Sequence, residues 1–260
     1  MEKKYIILLL LTSKLFGLGM SGFSHPSIHS SGDKITELAL IGQRCSGTNF
    51  IQGLMKANFP SYFFNHPINQ KQVPHKHHWP VVDNVNDFPF LRKDNCLFVL
   101  VVRDPYNWLK SLFSHKELLP HQDRTSFYNF ISTKFHYPHI PEKTSFQNIL
   151  DARNLEMKNF LTIGMEVKNF LFVRYEDVVK NPEQFIGFVS ECFELTKKEP
   201  FVAINTYKDS GNQSFEPKKY APISSSDLEL VNNSLNWEME TFMGYSLKSS
   251  DEKNSGNMSF

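Results

Sequence analysis

Residues 35–57 read ITELALIGQRCSGTNFIQGLMKA, and the architecture follows outward from this segment. Ile35 to Ile41 is an apolar strand pattern, Gly42 to Gly47 a polar turn bounded by glycines, and Thr48 to Ala57 a helix pattern. Strand, glycine turn and helix make a βα unit, whose turn amides and helix N-terminus can converge on an anionic phosphate. The two glycines have nucleotide-triphosphate-loop spacing, but Thr48 and Asn49 stand where Lys and Ser/Thr should follow the second glycine. An ATPase or GTPase reading therefore lacks its charge-neutralising lysine, and a structural glycine turn is the plain alternative.

Further along, Cys96 to Val102 (CLFVLVV) is a continuous apolar run, as expected of a central strand covered on both faces. Asp104 and Pro105 suit the N-cap and first position of a helix whose buried face is Trp108, Leu109, Leu112 and Phe113. A short strand is expected around Tyr62 to Phe64, a helix over Phe146 to Ile163 and a buried strand over Phe170 to Val173. A turn at Tyr175–Glu176–Asp177, a helix from Pro182 to Phe193 and a last amphipathic helix from Asp227 to Met243 follow. Strands thus alternate with helices, which predicts a mostly parallel sheet with ligands at the carboxyl ends of its strands. His115 to Thr144 has no sustained period and reads as a loop-rich insertion near a binding site.

The chain has 260 residues and a net charge of +1, enough for one sizeable core with no global field to attract nucleic acid or anionic lipid. Its three cysteines, Cys45, Cys96 and Cys192, are too few and scattered for a disulfide framework or a metal site, although one bridge is open. Residues 1–24 run basic, apolar, then small, with Lys3 and Lys4 leading and Lys14 interrupting the apolar run. This reads as a cleaved signal peptide for the secretory pathway, with a membrane anchor through residues 5–23 or an ordinary leader as alternatives. Sequons at Asn212, Asn232 and Asn257 matter only on a eukaryotic secretory route. A linker over 25–35, a single domain over 36–247 and a disordered tail over 248–260 complete the expected organisation.

Two more elements bear on chemistry. Arg103 ends the central strand at its carboxyl edge and Ser111 lies two turns into the next helix, so both can clasp one phosphate; pairing of Arg103 with Asp104 or Glu176 is the alternative. In Lys76–His77–His78–Trp79–Pro80, Lys76 and His78 point the same way in an extended segment, offering a cation and a base for a transfer reaction. A solvated polar loop is the alternative, and no carboxylate or cysteine accompanies the histidines at metal-ligand spacing.

Taken together and in this order, the elements resemble the sulfotransferase superfamily. A fourth match is Phe172–Val173–Arg174–Tyr175–Glu176–Asp177 with Asn181–Pro182, similar to that family's strand and following "RYEDL..NP" turn. The resemblance spans about residues 36–245. It implies an α/β, P-loop-NTPase-like three-layer sandwich with a central mostly parallel sheet. It further implies transfer of a sulfuryl group from 3′-phosphoadenosine 5′-phosphosulfate (PAPS) as co-substrate, without a metal, to a hydroxyl or amine of an acceptor.

By that resemblance Arg44, Cys45, Ser46, Gly47, Thr48 and Asn49 cradle the 5′-phosphosulfate and Arg103 with Ser111 fixes the 3′-phosphate. Lys218 and Lys219 are a rough counterpart of the family's basic C-terminal loop. His78 is the expected base with His77 as fallback, and Lys76 and Arg44 are the expected stabilising cations. Many members carry a lysine where this chain has Cys45, which leaves the identity of the catalytic cation open. A glycan or secreted protein is the favoured acceptor, with a peptide or small alcohol open and no nucleic acid expected. A catalytically degenerate relative that binds nucleotide or glycan, and an atypical P-loop kinase, are the competing readings.

Overall fold

The computed structural model describes residues 28–64, 77, 89–115, 119, 121–136, 145–204 and 218–249. The leader expected over 1–24, the catalytic candidates Lys76 and His78, and the tail beyond 249 lie outside them.

The chain is α/β. Its main sheet has the order β3–β2–β4–β7–β1, built from β1 (Ile28–His29), β2 (Glu37–Ile41), β3 (Phe63–Phe64), β4 (Cys96–Val102) and β7 (Asn169–Arg174). β2, β3, β4 and β7 are parallel, and β1 closes the edge antiparallel to β7. All seven residues of β4 are buried, as its unbroken apolar run requires of a strand with no solvent face.

Alternation along the strands sorts the core into two layers. Leu38, Leu40, Val99, Val101 and Val173 pack against α1 (Thr48–Asn58) and α6 (Pro182–Cys192). Ala39, Ile41, Phe98, Leu100 and Phe172 face Met157, Phe160 and Ile163 of α4 (Ile149–Glu166). Helices therefore cover both faces of the sheet. A third cluster joins α2 (Pro105–Ser114), α3 (Phe127–Ser132), α4 and α7 (Ser225–Ser234).

Several boundaries differ from the sequence reading, each for a local reason. The linker contains β1, and Ser31 beyond it donates to the Asn169 side chain at 2.9 Å. The expected turn at Tyr175 is a helix, α5 (Tyr175–Lys180), which stops at Asn181 because Pro182 disfavours a helical residue before it. The insertion after His115 holds α3, capped by Ser126 at 2.9 Å, and β5 (Phe135–His136), which pairs with β6 (Ser145–Phe146) just past it. The helix expected from Phe146 therefore begins only at Ile149, capped by Asn148.

The last helix is two, α7 and α8 (Trp237–Phe242). The Asn236 side chain caps α8, and Asn154 bonds both sides of the break, accepting from Asn236 N at 2.9 Å and donating to Ser234 O at 2.8 Å. Lys248, assigned to the tail, is docked: its amide donates to the Tyr106 hydroxyl at 3.0 Å.

Candidate active site

Topology opens one crevice. From β2 the chain leads through α1 to β3 on one side, whereas β4 leads toward β7 on the other. The carboxyl ends of the adjacent strands β2 and β4 therefore flank a switch point, the usual ligand crevice of an open parallel sheet. Residues 42–47 and Arg103 stand on its two banks.

Close packing fixes the turn. A Cβ on Gly42 would lie 2.6 Å from the Val101 carbonyl oxygen, and Gly47, at φ +94°, has the Tyr175 ring 2.0 Å from its Cβ position. Three successive carbonyls are engaged by the protein. Gln43 O accepts from Ser46 N at 3.2 Å and Ser46 Oγ at 2.8 Å, Arg44 O from Trp108 Nε1 at 2.8 Å, and Cys45 O from Arg103 Nη1 at 3.0 Å. Because peptide units are planar, these bonds set the orientation of the whole turn. The N-cap residue of α1 is Gly47, which has no side chain to cap it, and the helix dipole and leading amides there favour an anion. Ser46 and Thr48 are buried, and Asn49 is exposed.

Arg103 takes neither carboxylate considered for it. Its guanidinium stacks 4.8 Å from the Tyr175 ring centre and 5.8 Å from that of Tyr220, and its buried Nε has no hydrogen-bond partner among the described residues. The Asp104 side chain instead caps α2 through Asn107 N at 2.8 Å. Glu176 accepts from Asp104 N at 2.9 Å and Tyr245 Oη at 3.1 Å. Burial pushes the Glu176 carboxyl above the usual carboxylate range, although the Asp104 amide and Arg103 oppose that.

Of the other candidates, Arg44 is half-buried on the α2 side and lines a small cavity with Trp108, Phe135 and Glu156. Ser111 is buried on α2, two turns from Arg103, and no hydrogen bond joins the two. Cys45, at φ 65°, has its Sγ 3.9 Å from His115 Nδ1. His77 reaches the turn: its Nδ1 lies 2.7 Å from the Gly42 carbonyl oxygen. A carbonyl can only accept, so Nδ1 carries a proton, and the basic lone pair of the neutral ring is on Nε2. Lys218 and Lys219 are exposed, beside Tyr220.

The largest omission of the sequence reading is Arg153. Only 1% exposed, it bonds Glu240 at 2.6 and 3.0 Å, Gln43 Oε1 at 2.7 Å and Arg103 O at 3.1 Å, and lies 4.8 Å over Trp108. Gln43 in turn donates to Glu156 at 2.6 Å. This buried lattice supports both banks of the crevice. Its signal was a charged pair, Arg153 and Glu156, on the apolar stripe of α4; the partner Glu240 is 87 residues away, beyond any spacing argument.

Among the described residues no group of three or more His, Cys, Asp or Glu gathers as a metal site, and no helix is long and apolar enough to cross a membrane. No protein-family model and no curated protein matches this chain.

Proposed function

We propose that this chain is a PAPS-dependent sulfotransferase of P-loop-like fold, transferring a sulfuryl group to a hydroxyl or amine of a glycan or secreted protein. One observation carries the reading: a glycine turn with its carbonyls pinned and Arg103 face each other across the switch-point crevice, joined by the Arg103–Cys45 bond. Turn amides and helix N-terminus suit the 5′-phosphosulfate, and a cation on the opposite bank suits the 3′-phosphate.

In the reaction the acceptor oxygen or nitrogen forms a bond to sulfur as the bond from sulfur to the 5′-phosphate oxygen breaks. The base takes the acceptor proton and the leaving bisphosphate takes the electron pair. By analogy with phosphoryl transfer, the work is in-line positioning and charge stabilisation. Lys76 and Arg44 are the proposed stabilising cations and His78 the proposed base. His77 has an observation of its own in its favour, since the Gly42 carbonyl sets its tautomer with Nε2 basic. Either histidine, replaced by alanine, lowers turnover about 100-fold or more if it is the base.

Calorimetric titration of the purified chain with 3′,5′-adenosine bisphosphate, against ADP and magnesium ATP, tests the assignment. Selective bisphosphate binding supports it. Binding of magnesium ATP alone moves the chain to the kinase reading. Bisphosphate binding without turnover of any acceptor supports the degenerate reading, which the Cys45 substitution motivates.

A further inference from the structure

Two lysines outside the motif set converge on the Arg103 bank. Lys110, half-buried on α2, places its ammonium 5.7 Å from the centre of the Tyr220 ring, the ring that Arg103 approaches from 5.8 Å. Both distances are within cation–π range. Lys248 arrives from the far end of the chain, its Nζ 4.7 Å over Tyr106 and 3.5 Å from Asp104 Oδ2.

Among the described residues Arg103, Lys110 and Lys248 make one ion pair between them, that of Lys248 with Asp104, whose carboxylate already caps α2. Burial raises the neighbouring Glu176 carboxyl above its usual range. Lys110 feels the imbalance. Burial, then Lys248 and Arg103, hold its ammonium below the usual lysine range, with only Asp104 opposing. Aromatic faces and one shared carboxylate compensate partly buried cations poorly, and a bound dianion would relieve all three.

We infer that Lys110 and Lys248 complete, with Arg103, a binding site for a phosphomonoester dianion walled by Tyr220. This rests on the sulfotransferase reading, in which the phosphomonoester is the 3′-phosphate of the donor. The site selects a 3′-phosphorylated nucleotide through Lys110 of α2 and the docked Lys248, beyond what Arg103 and Ser111 supply.

The test is titration of the full chain with 3′,5′-adenosine bisphosphate and with 5′-AMP, in wild type and in Lys110→Met and Lys248→Met. The Lys248 backbone stays anchored in its variant, since Tyr106 Oη and Asn232 Nδ2 bond main-chain atoms at 3.0 Å. Lys168→Met is the control: this exposed lysine pairs with Asp94 at the amino end of β7, on the opposite sheet edge. Each lysine variant is expected to weaken bisphosphate binding about 10-fold, the scale of one charge-assisted contact, with 5′-AMP and the control within about 2-fold.

Unchanged bisphosphate affinity in both variants overturns the inference alone. Equal losses for bisphosphate and 5′-AMP also overturn it, because they report a general field. Failure of the wild type to bind bisphosphate overturns the inference together with the reading beneath it. Should Lys110→Met melt early, Lys110→Arg decides: recovered bisphosphate affinity supports a role for the charge, and no recovery in a folded variant overturns it.

Discussion

Arg103 donates from Nη1 to the carbonyl oxygen of Cys45 at 3.0 Å, so the end of β4 holds the turn that follows β2. One side chain thus shapes one half of the crevice while presenting its charge to the other. Arg103→Ala is expected to weaken 3′,5′-adenosine bisphosphate binding by about 100-fold, the loss of a multidentate charged contact plus its support of the turn. Arg103→Lys keeps the charge but not the planar stack on Tyr175, and should recover only part. Calorimetry on both variants checks this; full recovery by lysine would remove the argument from geometry.

Gly47 and Tyr175 make a second constraint. A methyl at Gly47 meets the Tyr175 ring and also forces alanine to φ +94°. Gly47→Ala should lower stability by about 1–3 kcal/mol, the cost of a non-glycine residue in that backbone region, with more from the clash. In a Tyr175→Ala background the clash vanishes and the backbone cost remains, so the two substitutions should cost less together than the sum of their separate costs. Urea unfolding of the double-mutant cycle measures the difference, and strict additivity would falsify the clash.

Much of the sheet was legible because its signals are local. The unbroken run CLFVLVV announces a strand buried on both faces, and Asp104–Pro105 announces the helix after it. What escaped the sequence is long-range or set by competition. Asp227 to Met243 has one continuous amphipathic pattern, yet Asn154, from a different helix, stabilises a break at Asn236. Arg103 was readable as a strand-end cation, but its choice of a backbone carbonyl over Asp104 depends on where Gly47 places the turn. Lys110 and Lys248 are separated by 138 positions, and nothing in their neighbourhoods marks them as partners.

Arg153 and Glu240 form the most deeply buried ion pair described, both about 1% exposed. Glu240→Gln or Arg153→Met strands one partner in the interior, and each is expected to cost about 3–5 kcal/mol. Replacing both by Met and Leu together should cost less than either alone, since no charge is then left unpaired. Chemical unfolding of the three variants tests the order. A double variant worse than both singles would show that the lattice to Gln43 and the Arg103 carbonyl matters more than the pair.

The three cysteines differ enough to be counted in the native state. Cys96 is fully buried, and burial with the Glu37 charge pushes its thiol up to about 12, Lys93 opposing. Burial also raises the Cys192 thiol, with Glu191 adding to it. Cys45 is half-buried in the crevice wall. A thiol reagent at mildly alkaline pH should modify Cys45 and Cys192 in the folded protein and Cys96 only after unfolding. Bisphosphate should slow Cys45 alone. Equal protection of Cys192, or none of Cys45, would place the nucleotide elsewhere.

Glu176 gives the fold a readable pH dependence. The folded protein holds this carboxyl's proton more tightly than the unfolded chain, since burial dominates its environment. Its contribution is therefore most favourable below the unfolded carboxylate pKa and declines as pH rises from there through the folded pKa. Glu176→Gln keeps an oxygen for the Asp104 amide and an amide for the Tyr245 hydroxyl, and has no proton to lose. Urea midpoints from acid to neutral pH should fall less steeply in the variant, so that it gains on the wild type as pH rises. Parallel curves for the two proteins would show that the Glu176 carboxyl ionises alike in the folded and unfolded states, its neighbours, the Asp104 amide foremost, offsetting its burial.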